Sequence, residues 1–542
     1  MNTCAARSGS LAAVNPQTIL REGPLMQVLL INPKFPHSYW SFEETNKISG
    51  HRALLPPLGL ITAGALLPLE WELRLVDLNA RCLSHADWNW PDLVMLTAMV
   101  IQQQGLLALI KEAKQRGKTV VVGGPYVTSV PQEVLAAGAD FLVCGEGENA
   151  IPLWLEAMQT GQKRGIFQAE EKPSMTASPV PRFDLLKLDD YDTLAIQTSR
   201  GCPFECEFCD VINLYGRLPR YKNPSQILSE LTTLYRLGWR GGILISDDNF
   251  IGNKAHAREI LRTLIPWMKD RGHPFSFWTQ TSVNLGQDLA MIDLLTEANF
   301  SHIFLGIESP DQGILSANRK YQNLKNPMEQ SLANITANGL SPVTSFIIGF
   351  DGEEKGAAER ICTFVENNDL PLVMLNTLQV LPNTALWDRL QREGRLLEKA
   401  TTGDNTMGGL NYLPTRPQAE IMTEYREMVN RLYEPSGFLK RAFRHILAMR
   451  PTRQALRHGD QENRQTPKIH RPRGNKIQQL SALVKLIWRQ GIQGPCRWQF
   501  WRQLAQVYQQ NPSRLIRYLH TCGLGENLFR LRREILKTNP PN

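Results

Sequence analysis

Three cysteines, Cys202, Cys206 and Cys209, are separated by three and then two residues in the stretch QTSRGCPFECEFCD, which runs from Gln197 to Asp210. They directly follow a short apolar run that begins at Leu194, and the next histidine or cysteine is His256. Three clustered thiols with no fourth at hand suit a metal centre that keeps one position open. An iron–sulfur cluster normally takes four protein thiolates, so a trio leaves one iron free for a small ligand. The alternatives are a zinc knot, which wants four protein ligands, and a redox pair. The other six of the nine cysteines, at positions 4, 82, 144, 362, 496 and 522, have no partner by spacing. Each is expected as a small buried apolar residue, and the odd, scattered set argues against a secreted disulfide framework.

Residues that do chemistry need elements to position them, and 542 residues are too many for one core. Residues 1–24 show no pattern and are expected to be a disordered leader. A continuous apolar run of buried-strand length follows at Met26 to Asn32, and further strands are expected at Trp71 to Asp77, Leu93 to Thr97, Thr119 to Val122 and Phe141 to Cys144. Helical stretches lie between them at Pro57 to Leu69, Gly105 to Arg116 and Pro131 to Ala137. Strands alternating with helices predict a parallel, doubly wound α/β domain over 25–155, with ligands at the carboxyl ends of its strands. An aromatic loop after Asn32, the loop of Thr97 and Met99, and the turn Gly123-Gly124 then share one rim. Glycines after a strand can also serve only a tight turn.

The segments PPLGL at 56–60, GGPYVT at 123–128 and GEGE at 145–148 together resemble the cobalamin-binding domain found in front of many radical S-adenosylmethionine (radical SAM) cores. That resemblance implies a cobalamin cofactor held by Thr97, Met99, Gly123 and Gly124. The motif Asp-x-His-x-x-Gly, whose histidine binds cobalt from below, is missing, and His37 stands outside such a frame. A flavodoxin-like domain without a ligand is the other reading. Residues 156–190 are polar, with Pro173, Pro179 and Pro181, and are expected as a linker.

From Leu194 a second alternation places strands at Leu194 to Gln197, Gly242 to Ser246, Phe275 to Thr281, His302 to Ile307, Thr344 to Gly349 and Val373 to Val380. Six such units over 191–415 predict a partial (β/α)6 barrel with its site at the carboxyl ends of the strands, and the cysteine loop follows the first strand. This stretch resembles the radical SAM core, in the cysteine spacing and in Phe208 before the last cysteine. The resemblance implies a [4Fe–4S] cluster on the three cysteines and S-adenosyl-L-methionine (SAM) chelated to the open iron. An external one-electron donor is implied as well, since one electron cleaves SAM to a 5′-deoxyadenosyl radical. By the same resemblance Asp248, in SDDNF after the second strand, meets the SAM amino group, although Asp here also suits a helix N-cap. Glu308 meets ribose hydroxyls or the amine, and Gly349 in FIIGFDGE flanks adenine.

The net charge of +8 hides an asymmetry. From Ser436 onward there are 21 Lys plus Arg against 4 Asp plus Glu, a net of +17, which leaves the preceding 435 residues at −9. Residues 416–542 are expected as a basic helical region with helices at Ala419 to Tyr433, Leu480 to Trp488, Trp498 to Gln509 and Ser513 to His520, and an exposed linker at Pro451 to Lys476. The charge predicts either a solvated helical cap or contact with an anionic membrane surface through Trp488, Trp498 and Trp501. No nucleic-acid motif accompanies it. No run is long enough for a membrane-spanning helix and no signal-peptide core is present, so the cytoplasm is the expected compartment, with peripheral membrane contact as an option.

Over 26–415 the chain is similar to cobalamin-dependent radical SAM proteins, and the motif SRGCPFECEFCD followed by GRLPR at 216–220 is similar to the hopanoid C-2 methylase subgroup. What this implies is methylation of an unactivated carbon, with a lipid or other small molecule as substrate. Two alternatives stay open: another radical SAM outcome (rearrangement, ring closure or methylthiolation), and a metal-stabilised binding or regulatory module without turnover.

Overall fold

The structure is a computed structural model that describes residues 25–397, 403–407, 409–459 and 476–537. The expected leader, and positions 460–475 of the expected C-terminal linker, lie outside the described residues.

The first sheet has strands β1 (Gln27–Asn32), β2 (Glu72–Asp77), β3 (Leu93–Thr97), β4 (Thr119–Gly123), β5 (Phe141–Cys144) and β6 (Gly165–Gln168). They lie in the order β2-β1-β3-β4-β5-β6, all parallel. Both faces are covered, which is why β1, β3, β4 and β5 read as apolar runs, while the edge strand β2 carries Glu72 and Arg74. Leu29, Ile31, Val94 and Val122 pack on one side against Leu106 and Ile110 of the helix Gln103–Gln115. Val28, Leu30, Met95 and Val121 pack on the other against Ile151 and Trp154 of the helix Gly147–Gln159.

The stretch 156–190 is not a free linker. Its first residues complete that last helix, and β6 joins the sheet edge. As an edge strand β6 keeps only one paired side and alternates half-buried and exposed residues, a weaker sequence signal than a core strand. Met175 and Phe183 then pin the rest down, each 1% exposed.

The second sheet holds β7 (Thr193–Ile196), β10 (Gly242–Ile245), β11 (Ser276–Thr281), β12 (Phe300–Glu308), β13 (Ser341–Ile348) and β14 (Leu372–Thr377). The order β14-β13-β12-β11-β10-β7, all parallel, is the expected six-unit partial barrel. Between β7 and β10 a two-residue ladder pairs β8 (Ser199–Arg200) with β9 (Arg220–Tyr221). Outward-facing Ile303, Leu305 and Ile307 of β12 are buried against helices, whereas His302, Phe304 and Gly306 face a lumen and are half-buried.

The C-terminal region is helical and folds back onto the body. Its last helix, Leu515–Lys537, is far longer than Ser513 to His520, the expected span. Gly523 and Gly525 suggest a break, but Gly525 is there for packing: a Cβ would come within 2.5 Å of the Phe438 ring. The tail's positive charge is partly matched within the chain. Arg530 reaches Glu43 and Glu44 at 2.9 Å each, Arg489 reaches Glu44 at 2.7 Å, and Arg450 reaches Asp293 at 3.2 Å. Among the described residues no helix is long and apolar enough to cross a membrane. Cys144, Cys362 and Cys522 are buried as expected; Cys82 is exposed, against expectation, and Cys4 lies outside the described residues.

Candidate active site

The cysteine loop leaves the carboxyl end of β7 and is held at both ends. At its start, Asp247 is buried and accepts from the amides of Thr198 (2.7 Å) and Ser199 (3.0 Å) and from both hydroxyls. A carboxylate with four donors is a rigid anchor. Gly201 adopts φ +98°, and a Cβ there would meet Gly216 O at 2.9 Å, so glycine is required. Further along, the Arg389 guanidinium donates to both oxygens of Glu207 (2.8 and 3.1 Å) and to Asp351 (2.8 Å).

Each of the three sulfurs accepts one N–H. The Phe204 amide serves Cys202, the Val211 amide serves Cys209, and Gln322 Nε2 lies 3.5 Å from Cys206 Sγ. Burial pushes the Cys202 thiol up to about 11, and the neighbouring Cys206 charge adds to it; Cys209 is raised further, by burial first and then by Asp210 and the other two cysteines. Three such thiols side by side would give up their protons only to a bound cation. Among the described residues, no three His, Cys, Asp or Glu side chains stand close enough to hold a single ion.

The other expected residues collect on the same face. Asp248 accepts from the Gly201 amide at 2.9 Å, and burial pushes its carboxyl up to about 6. It is not an N-cap; Asn253 caps the following helix. Glu308 has φ +66° at a bulge between β12 and β13, which turns its side chain back over Gly306 to pair with Lys320. Bulges commonly re-aim a side chain at functional sites. Lys320 is opposed by burial but held charged by Glu308 and Cys206, and it lies 5.7 Å from the centre of the Phe208 ring. Phe208 packs in turn on Phe350, 5.6 Å between ring centres. Gly349 (φ +102°) has both backbone groups engaged, its amide by Glu353 at 2.8 Å and its carbonyl by the Tyr412 hydroxyl.

On the first domain, Thr97 and Gly123 are register partners, and a Cβ on Gly124 (φ +96°) would strike Thr97 Oγ1 at 2.3 Å. The two loops can only touch because of that glycine. Met99 is 53% exposed on the same rim. Gln102, which the sequence gives no reason to single out, ties this loop to the one after β1: its Oε1 accepts from the Met99 amide at 3.0 Å and its Nε2 donates to Pro33 O at 2.6 Å. The aromatic loop does not stay on that rim. Tyr39 is buried and Trp40 packs on Phe304 in the barrel lumen, with ring centres 5.6 Å apart. His37 lies between Glu43 (3.4 Å) and Glu534 (2.8 Å).

The two carboxyl rims face each other. Glu146, just past β5, takes Arg200 (2.7 Å) and Arg220 (2.6 Å) of the ladder that frames the cysteine loop, and Glu148 takes Arg200 at 2.8 Å. Asn383, past β14, donates to Ser129 O at 3.0 Å.

Three family models match successive parts of the chain: a B12 binding domain over 52–154, the radical SAM superfamily over 196–365, and a domain of unknown function (DUF4070) over 384–539. Hopanoid C-2 methylase of Rhodopseudomonas palustris is 33% identical over 88% of this chain and 88% of its own length. The chain belongs to the B12-binding radical SAM family. Within this family, a protein of Synechocystis described as an uncharacterized methyltransferase (sll1242) is 44% identical over 94% of this chain and 92% of its own. Among solved structures, the cobalamin-dependent radical enzyme OxsB with aqua-cobalamin bound has a TM-score of 0.57 at 15% identity, covering 95% of this chain and 80% of that one. The methyltransferase TsrM of Kitasatospora setae has a TM-score of 0.54 at 18% identity, covering 68% and 78%. As a member of this B12-binding radical SAM family the chain is an enzyme that uses a [4Fe–4S] cluster, SAM and cobalamin.

Proposed function

We propose that this radical SAM enzyme transfers a methyl group to an unactivated carbon of a polycyclic lipid of the hopanoid type. The observation that carries the reading is the clamp of Glu146 and Glu148 on Arg200 and Arg220, which sets the B12-binding rim over the cysteine loop. The relatives named as methyltransferases support the reaction type. When bound, the cofactors supply the hard chemistry, a radical able to take hydrogen from carbon and a methyl group to replace it.

The chain supplies position. Cys202, Cys206 and Cys209 hold the cluster and their three N–H donors spread its charge. Asp248, at the rim beside Gly201, accepts a charge-assisted hydrogen bond from the SAM ammonium. Glu308 and its partner Lys320 fix Phe208 and frame the nucleoside side, where Gly349 lets the backbone turn closely. Thr97, Met99, Gly123 and Gly124 carry the corrin on a flat, partly apolar rim, and His37 is committed to two carboxylates rather than to cobalt. Electrons come from an external one-electron donor.

A lipid substrate suits the C-terminal surface, where Ile477 (78%), Leu480 (62%) and Trp498 (76%) are exposed beside basic residues. An anionic lipid surface is the partner this face fits. Trp498→Glu should weaken binding to anionic liposomes several-fold with no loss of cluster; unchanged binding removes the membrane contact. The substrate reading itself is tested by lipid profiling of a strain that lacks the gene. It stands if a methylated polycyclic lipid disappears and its unmethylated form accumulates, and falls if the lipids are unchanged.

A further inference from the structure

The barrel has a second mouth, at the amino ends of its strands, and it is hollow. A cavity of about 510 Å³ is bounded there by the strand starts Thr193, Gly242, Ser276 and Leu372, by the aromatic loop of the first domain and by the C-terminal helix. It lies at the end of the barrel opposite the cysteine loop and has no part in the cofactor site. Its volume is that of an ordinary small-molecule site. One wall is aromatic, made by Tyr39, Trp40 and Trp278. The floor is cationic.

Arg514 is 7% exposed and donates to Arg450 O at 2.9 Å; Arg517 donates to Ser301 O at 2.6 Å and Ser341 Oγ at 3.3 Å. All three contacts are to neutral acceptors. The charges that act on the two guanidiniums are also cations: Arg450 on Arg514, and Arg514 on Arg517. Asp192 is the one carboxylate lining the cavity, and its hydrogen bond is with Thr193 at 3.2 Å. His302 and His520 face the same space with ring centres 5.6 Å apart; burial and then Arg517 hold the His302 imidazole well below its usual range, and burial lowers His520 too, with Asp192 opposing and Arg517 adding to it. His302 Nδ1 bonds Ser301 at 3.0 Å, while among the described residues its buried Nε2 has no partner. Burying cations with no counter-charge is costly, and here they end at an apolar-walled cavity with an unmatched imidazole.

We propose that this basal cavity binds an anionic amphiphile, a carboxylate or phosphate on an apolar body, with the anion on Arg514, Arg517 and His302 and the body against Trp40 and Trp278. The site lies on the helical region matched by the domain of unknown function, and it goes beyond the proposed reaction without depending on its substrate. The ligand's source is either a lipid or a free anion, and chain length distinguishes them.

Calorimetric titration of the reconstituted full chain with dodecyl phosphate, dodecanol and inorganic phosphate, all below micelle formation, tests the site. Dodecyl phosphate should bind at least tenfold more tightly than dodecanol, and inorganic phosphate should show no saturable binding in the same range. Arg517→Gln should remove the tenfold margin. Ile516→Glu, at a cavity-lining position that is 77% exposed and so tolerant of substitution, should weaken dodecyl phosphate at least tenfold while changing dodecanol much less. Equal affinity for dodecanol and dodecyl phosphate, or unchanged binding in both variants, overturns the proposal. Inorganic phosphate binding as well as dodecyl phosphate would overturn the amphiphile and leave a simple anion site.

Discussion

The two mouths of the barrel treat charge in opposite ways. At the carboxyl end Asp247 has four donors, Arg200 and Arg220 share Glu146, Arg389 holds Glu207, and Lys320 meets Glu308. At the amino end, among the described residues, two guanidiniums meet only neutral acceptors. A paired, hydrogen-bonded network fixes geometry, as a site that must hold two cofactors in register requires. Unpaired buried charge fixes nothing by itself and is tolerated when something else completes it.

The comparison is broken most severely at the cysteines. Cys206→Ala should abolish the cluster's visible absorption and all 5′-deoxyadenosine formation from SAM and reductant, while the fold survives. Retention of either signal rules out the cluster assignment. Next comes the clamp. Glu146→Ala leaves Arg220 and part of Arg200 without a counter-charge, and loss of one partner of a buried pair should cost about 3 kcal/mol or more by chemical unfolding. A change well under 1 kcal/mol would show that the two rims are not held by this pair.

A third substitution tests how complete the pairing is at the carboxyl end. Glu353 shares Arg416 with Glu424, and burial pushes its carboxyl up to about 7 despite the Gly349 amide and Arg416. A folded-state value above the unfolded one means that the native state holds the proton longer. Its contribution is therefore fully present below about pH 4 and lost as the pH rises to about 7. Glu353→Gln should flatten the stability profile across that window by up to about 3 kcal/mol, and an unchanged slope would place the titration elsewhere. The smallest effect is at the other mouth. Arg517→Met removes an uncompensated charge and should raise stability of the ligand-free protein by about 1 kcal/mol. A loss of similar size would mean that Arg517 is a structural residue after all.

Much of this was legible in the sequence, for physical reasons. The central strands of the first sheet are covered on both sides and read as apolar runs, the barrel strands bury at least their outward face, and the cysteine spacing lies within eight residues. What was not legible depends on contacts between distant positions. Glu146 and Glu148 were visible as GEGE, but their partners stand 54, 74 and 52 residues away. Gln322 lies 116 residues from Cys206, and a glutamine after a strand carries no signal of its own. The aromatic loop suggested a ligand rim because aromatics after a parallel strand often end there; instead it reaches the amino end of the barrel, where Tyr39 is buried and Trp40 packs on Phe304. Gly525 marks close packing against Phe438, which composition alone cannot separate from a helix break.

The central claim is that the facing rims unite radical formation with methyl transfer. It is tested most directly by incubating the anaerobically reconstituted, cobalamin-loaded enzyme with methyl-deuterated SAM, reductant and a polycyclic lipid. If a second SAM supplies the methyl group, one S-adenosylhomocysteine should form for each 5′-deoxyadenosine, with a lipid that carries the deuterated methyl group. Formation of 5′-deoxyadenosine with no S-adenosylhomocysteine and no labelled lipid would contradict it.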